Sequence, residues 1–167
     1  MAIRILGIDP GLQKTGWGII ETHNNSLKYI SSGLIKTQTK ESLAQRLATL
    51  YHGLNATIDE WKPDESAIEE TFQNKNPVST LKLGHARGVL MVVPAMKGLV
   101  VDEYGANKIK KSVVGSGHAA KQQMQMMIKT LLPTCGTISE DEADALAVAI
   151  THAHYRNINS TLLGITS

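Results

Sequence analysis

The stretch Ile3-Arg4-Ile5-Leu6-Gly7-Ile8-Asp9-Pro10-Gly11 decides the fold, because it reads as a buried strand that stops at a Pro-Gly turn. Residues 16–20 and 27–35 predict two further strands, and Asn24-Asn25 supplies the turn between them. The chain is therefore expected to begin as an antiparallel meander.

Helices alternate with strands after the meander. Apolar residues recur at steps of three or four from Leu43 to Trp61, which predicts a helix ended by Pro63. Ser139-x-x-Glu142 is a capping box that opens the last helix. The remaining predicted strands are at 66–69 and 99–101, and the remaining predicted helices are at 81–93, 106–113, 119–132 and 141–154. Pro94 must kink or stop the first of these helices.

This order of elements predicts an α/β fold with a mixed five-stranded sheet, first an antiparallel meander and then parallel strands, with helices on both faces. The 167 residues suit one domain, expected over residues 1–156, with 157–167 as a flexible C-terminal tail. Apolar residues at 42% and charged residues at 19% are ordinary for a globular protein and argue against disorder.

The composition also indicates the cellular compartment and excludes several kinds of site. A single cysteine, Cys135, excludes a disulfide framework and a cysteine-based zinc site, and suits a reducing cytosol. Arg4 and Asp9 interrupt the first apolar stretch, so no signal peptide fits there. The most apolar run, 89–96, falls below the ~18 residues that span a bilayer. We expect a cytoplasmic protein.

Four acids can meet at one place in this layout. Asp9 ends the first strand, and Glu69 ends the fourth, so the two are neighbours if those strands are adjacent. Asp141 and Asp144, three residues apart, share one face of the first turn of the last helix. Alone, each acid has a plain explanation as a turn residue, a solvated strand end or a helix-dipole partner. Together, four carboxylates require cations, and oxygen ligands favour Mg²⁺ or Mn²⁺, two of which would suit phosphodiester cleavage.

A basic region lies between the second and third of these acidic elements. From Thr71 to Lys129 the sequence has nine Lys or Arg against two acids, although the whole chain carries a net charge of only +2. Such a block favours contact with phosphates, and Phe72, in a polar loop just after Glu69, suggests a ring that stacks on a base. The basic candidates are Lys75, Lys82, Arg87, Lys108, Lys110, Lys111 and Lys121.

These residues together resemble the RuvC family of bacterial Holliday junction resolvases, within the ribonuclease H-like superfamily, from about Ile3 to His154. The matching stretches, in order, are Gly7-Ile8-Asp9-Pro10-Gly11, Ala67-Ile68-Glu69, Leu83-Gly84-His85-Ala86-Arg87-Gly88-Val89, Val113-Val114-Gly115 and Asp141-Glu142-Ala143-Asp144-Ala145-Leu146-Ala147, continuing through Ala149-Ile150-Thr151-His152. Two departures are His85, where the family has a Gln, and Pro94, in a helix expected to help form the dimer.

The resemblance implies a homodimer that binds a four-way DNA junction and nicks two strands of like polarity, leaving 5′-phosphate and 3′-hydroxyl ends. It implies Asp9, Glu69, Asp141 and Asp144 as the catalytic ligands of two Mg²⁺ ions, with Mn²⁺ as an alternative. By this resemblance Phe72, Lys110 and Lys121 would contact DNA, and branch-migration proteins of the RuvA and RuvB type would be partners. From the basic region, Lys75 is added as a further DNA-contacting candidate. Two alternatives stay open, a YqgF-like nuclease acting on RNA and a non-catalytic DNA-binding module.

Overall fold

The computed structural model describes residues 1–71 and 76–162. Five strands and five helices follow one another along these residues. They are β1 (Ile3–Asp9), β2 (Lys14–His23), β3 (Ser26–Lys36), α1 (Leu43–Trp61), β4 (Glu65–Glu70), α2 (Pro77–Met96), β5 (Val101–Gly105), α3 (Ala106–Val114), α4 (Lys121–Leu131) and α5 (Glu140–Leu162). No helix in these ranges is long and apolar enough to cross a membrane.

The strands form one sheet in the order β3-β2-β1-β4-β5. β1 pairs antiparallel with β2, and β2 with β3, so the predicted meander is confirmed. β4 joins the other side of β1 in parallel, and β5 pairs in parallel with β4. The sheet is therefore mixed and five-stranded, as the sequence predicts.

Helices cover both faces of the sheet. On one face, Ile5 and Ile20 are buried in a cluster with α3, α4 and α5. On the other face, Leu6 and Ile19 are buried in a cluster with α1 and α2. Neighbouring residues of a strand point to opposite faces, which explains why the central strand β1 carries apolar residues for both faces, at Ile5, Leu6 and Ile8.

Several element boundaries differ from the sequence-based expectations, among them β2, which spans Lys14–His23 rather than 16–20, and α2, which begins at Pro77 rather than at residue 81. β5 begins at Val101 rather than Leu99, because its pairing with β4 starts at Ser66 opposite Val101 and continues into the polar residues 102–103. α2 continues two residues past Pro94, which lies in its last turn. The backbone of α5 continues to Leu162, beyond the predicted helix end at His154 and domain boundary at residue 156. The flexibility predicted for 157–167 stays a prediction.

Candidate active site

Asp9 and Glu69 meet at the carboxyl end of two parallel strands. Ile8 of β1 stands opposite Ile68 of β4, so the next residue of each strand lies at the same edge of the sheet. The two carboxyl groups share a side-chain hydrogen bond. The predicted adjacency of these acids is confirmed.

The first turn of α5 carries the other two acids to the same edge. The predicted capping box is present: the Ser139 backbone N–H donates to Glu142 Oε2 at 2.8 Å, and the Glu142 N–H donates to Ser139 Oγ at 3.3 Å. The hydroxyl of Ser32 on β3 donates to Glu142 Oε1 at 2.9 Å. These bonds fix the start of α5 against the sheet, and with it Asp141 and Asp144.

Glycines on the sheet let α5 approach closely, a role that the sequence analysis missed. A Cβ added to Gly7 would lie 2.0 Å from the carbonyl oxygen of Ala145, and one added to Gly16 would lie 2.2 Å from that of Asp141. The alternation Gly16-Trp17-Gly18 within a strand was the available signal, because strand glycines often mark a close backbone approach. Without side chains at these positions, the helix backbone rests on the strands, next to Asp9.

The electrostatics confirm that the four acids affect one another. Burial raises the pKa of Asp9 to about 9, with the negative charges of Glu69, Asp144 and Asp141 as further causes. Burial also raises the pKa of Asp144 to about 6, assisted by Glu69. The pKa of Glu69 is raised by burial, while Asp9, Lys110 and Arg87 act against the rise. In the absence of an added cation, Asp9 therefore keeps its proton at neutral pH.

A cavity of about 310 Å³ opens beside these carboxylates. Glu69 and Asp144 line it together with Lys110 of α3 and Lys121 of α4. The Lys121 ammonium is paired with Glu140. Its remaining lining residues are small or apolar: Ala106, Ile109, Ala119, Met124 and Ala147. The cavity therefore brings two cationic and two acidic side chains to one opening.

Other predicted DNA-contacting residues are placed differently. Arg87 is held in the scaffold, since its Nε donates to the Glu69 carbonyl oxygen at 3.3 Å and its Nη2 to Glu103 Oε1 at 2.6 Å. The Lys108 ammonium lies 4.0 Å from the centre of the Tyr155 ring. Phe72 and Lys75 lie outside the described residues.

The donor set fits a hard divalent cation. All four side chains offer carboxylate oxygens, the ligands that Mg²⁺ and Mn²⁺ prefer. Burial raises the pKa of Asp9, and the negative charges of the neighbouring acids raise it further, which a bound cation would offset. Among residues 1–71 and 76–162, however, no three His, Cys, Asp or Glu side chains already form a closed metal-binding group. The four acids are close enough to affect the pKa of Asp9 without forming such a group.

Comparison with known proteins agrees with this architecture. The family model described as crossover junction endodeoxyribonuclease RuvC matches residues 5–152. The crossover junction endodeoxyribonuclease RuvC of Paramagnetospirillum magneticum is 55% identical over 160 residues, which cover 96% of each chain. That of Nitrobacter hamburgensis is 55% identical over 154 residues, covering 92% of this chain and 91% of the relative.

Solved structures extend the likeness to the fold. T. thermophilus RuvC in complex with Holliday junction substrate superposes with a TM-score of 0.88 at 28% identity, covering 95% of this chain and 97% of that one. The yeast mitochondrial Holliday junction resolvase Ydc2 shares only the fold, with a TM-score of 0.64 at 14% identity over 95% of this chain and 83% of its own.

The sheet order and its flanking helices thus define a protein of the ribonuclease H-like class, as the sequence predicts. Within that class, the match over residues 5–152 shows that the chain belongs to the RuvC family of crossover junction endodeoxyribonucleases.

Proposed function

We propose that the protein resolves Holliday junctions in homologous recombination and DNA repair. It binds a four-way junction as a homodimer and nicks two strands of like polarity, leaving 5′-phosphate and 3′-hydroxyl ends. Membership of the endonuclease family supports the reaction, and the junction complex of the T. thermophilus relative supports the substrate. The convergence of four carboxylates beside a lysine-lined cavity is the observation that carries the chemistry.

We assign metal binding to Asp9, Glu69, Asp141 and Asp144, with two Mg²⁺ ions per site and Mn²⁺ as an alternative. When bound, divalent ions supply an activated water and stabilise the charge on the departing oxygen. For its part, Asp9 must release the proton that it shares with Glu69, because ligand carboxylates bind as anions. Binding of Mg²⁺ should therefore release protons.

Lys110 and Lys121 hold the reacting phosphate in this proposal. Both lysines line the cavity with Glu69 and Asp144, and the charges of both act to lower the pKa of Asp144. The Lys121 side chain is largely exposed and is paired with Glu140, so its ammonium can exchange that partner for a phosphate oxygen at little cost. The two lysines therefore orient the DNA strand and offset the negative charge of the carboxylates.

An exposed apolar stripe on α2 supports the homodimer. Val78, Leu81, Val92 and Met96 are 60%, 63%, 45% and 70% exposed, and their helical spacing puts them on one side. Ala86, Leu90 and Val93 face the core from the other side. Apolar side chains exposed in a row mark an interaction surface, and a two-fold dimer would present two identical sites to the symmetric junction.

The remaining functional assignments extend the family resemblance. Phe72 stacks on a base near the cut, and Lys75 contacts the DNA backbone beside it. Branch-migration proteins of the RuvA and RuvB type dock on the junction complex, and the protein works in the cytoplasm. For Phe72→Ala, we expect weaker nicking at an unchanged melting temperature, whereas a collapsed melting temperature would reassign Phe72 to the core.

The deciding experiment compares nicking of a synthetic four-way junction with that of a linear duplex in a Mg²⁺ titration. We expect junctions to be cut far faster, cutting to stop on chelation, and Asp9→Asn to abolish it while junction binding is nearly unchanged. Equal cutting of linear duplex, or cutting that persists in EDTA, would contradict the proposal. If Asp9→Asn lost binding in parallel with cutting, Asp9 would have a structural role.

A further inference from the structure

A second polar cavity, of about 290 Å³, lies apart from the carboxylates. It is bounded by the turn after β1, the segment leading into α1 and the first turns of α2, and it shares no lining residue with the cavity at Glu69 and Asp144. Its polar lining consists of Gln13, Thr39, Arg46, Ser79 and Lys82, and two leucines complete it. The proposed chemistry at the carboxylates uses none of these residues.

The Arg46 guanidinium is held in place before any ligand arrives. Its Nε donates to Thr37 Oγ1 at 2.9 Å, and that buried hydroxyl donates to the Leu12 carbonyl oxygen at 2.5 Å. Within the described ranges, its other nitrogens make no hydrogen bond or ion pair. A guanidinium fixed through one nitrogen leaves its outer donors free for two oxygens of one phosphate, at a reduced entropic cost of binding.

The charge around the cavity favours an anion. Among residues 1–71 and 76–162 no carboxylate lines it, and the segments 10–14, 36–46 and 76–83 together contain five bases and one acid, Glu41. Residues 72–75, which lead into α2, contain no acid either. Lys14 also stands directly opposite Lys36 in the β2–β3 ladder, a like-charge pairing that opposes folding. The fold therefore concentrates positive charge here without neutralising it.

We propose that this cavity binds a backbone phosphate of the junction other than the one that is cut. Arg46 grips two of its oxygens, Lys82 neutralises it from α2, and the hydroxyls of Ser79 and Thr39 donate hydrogen bonds. The inference rests on the proposed junction-binding function and divides the basic residues into two groups. Lys110 and Lys121 serve the reacting phosphate, whereas Arg46 and Lys82 fix a remote point of the strand and so set its position.

The test measures junction affinity in EDTA, where no cutting occurs, over a range of about 50 to 200 mM salt. Arg46→Gln and Lys82→Gln should each weaken binding about tenfold and reduce the slope of log affinity against log salt by about 1, because one phosphate contact is lost. Lys28→Gln is the matched control, since Lys28 is an exposed lysine opposite Glu21, at the other end of the sheet from the cavity. It should change neither quantity.

The outcomes separate this inference from the proposed function. Unchanged affinity and slope in both cavity variants would overturn the phosphate site while leaving junction binding intact. A wild-type protein that did not prefer junctions would overturn the proposed function, and this inference with it. If Arg46→Gln lowered the melting temperature through loss of the Thr37 bond, Lys82→Gln would decide, because the Lys82 side chain is exposed.

Discussion

Asp9 is the residue whose environment differs most from that of a free side chain. A pKa raised to about 9 means that the folded state binds a proton more tightly than the unfolded chain, whose value is 3.8. By linkage, the contribution of Asp9 to the free energy of unfolding is fully present below pH 3.8 and is lost as the pH rises towards 9. The metal-free protein thus becomes less stable as the pH rises through the range in which the clustered acids ionise.

Asp9→Asn should therefore stabilise the metal-free protein at neutral and alkaline pH. In EDTA, we expect its melting temperature to exceed that of the wild type by several degrees at pH 8, roughly 2–4 °C per kcal/mol of repulsion removed. The difference should shrink towards pH 4. Mg²⁺ should raise the melting temperature of the wild type more than that of the variant, because a ligand carboxylate is gone.

The control for this measurement is Glu60→Gln, which changes an exposed acid of α1 and should not alter the pH dependence. A melting temperature of Asp9→Asn below that of the wild type at every pH would show that the carboxylate supports the fold rather than straining it.

The site acids were predictable from the sequence because their positions follow from local rules. Asp9 and Glu69 end strands, and Asp141 and Asp144 share a helix turn, so the adjacency of two strands brought all four together. The shared proton of Asp9 was not predictable, since it depends on burial and on the distances between side chains. Arg46 was missed because its partners, Thr37 and Leu12, lie in segments without a motif.

At the scale of elements, the contact between α5 and the first two strands sets the geometry of the site. Gly16 pairs with Asp9 in the sheet and lies against the backbone of Asp141. The separation between helix and strands is therefore fixed by the absence of a side chain. A single methyl group here must move the helix or the strand.

Gly16→Ala should lower the free energy of unfolding by about 1–3 kcal/mol or more, because its Cβ would meet a backbone carbonyl at 2.2 Å. Nicking should fall further than the stability loss explains, since Asp141 moves with the helix. Urea denaturation and a nicking assay on the folded variant measure the two effects. Gly117→Ala is the control, as its Cβ would meet nothing closer than 3.7 Å. Full nicking by Gly16→Ala would contradict this account.

The α2 stripe makes a separate prediction about assembly. Leu81→Gln combined with Val92→Gln should shift the protein from dimer to monomer in light scattering, because both apolar side chains are exposed in the isolated subunit. The junctions that are still cut should then carry single nicks rather than paired ones. Met126→Gln alters an equally exposed apolar residue on α4 and should remain dimeric. A dimer that survives the double change would place the interface elsewhere.

Element boundaries were less predictable than element types, for two reasons. The apolar run Leu99-Val100-Val101 suggested a strand, but parallel pairing with β4 draws the strand onward to Gly105. At the end of α5, no apolar pattern follows Arg156, yet the helix backbone continues to Leu162. A register and a helix end both depend on neighbours that local periodicity does not contain.

On the scale of the whole molecule, a polar network joins the amino end of β4 to α5 and β5. The buried His152 contacts Glu65 Oε2 through Nε2 at 2.8 Å and the Tyr104 hydroxyl through Nδ1 at 3.0 Å. Arg156 Nε donates to Glu65 Oε1 at 2.7 Å. Hydrogen bonding to His152 is the largest cause of a lowered Glu65 pKa. The network ties α5 to β4 and β5.

Glu65→Gln should destabilise the protein by about 1–3 kcal/mol at pH 7, because buried partners lose a charged acceptor. Since the folded-state pKa of Glu65 is below 4.5, its contribution is present above pH 4.5 and is lost as the pH falls further. Urea denaturation should therefore show a smaller difference from the wild type in acid than at pH 7. A difference that is constant with pH would mean that Glu65 stabilises the fold by packing and not by its charge. Glu60→Gln again serves as the control.

The sheet order has a consequence for the folding of this enzyme. The meander pairs segments that are adjacent along the chain, and such local contacts cost little loop-closure entropy. The contacts of β4 and α5 with β1 join residues that are far apart in the sequence, so they cost more. A molecule in which only the meander has formed therefore lacks the neighbours that Asp9 needs, because Glu69 arrives with β4 and the other two acids with α5.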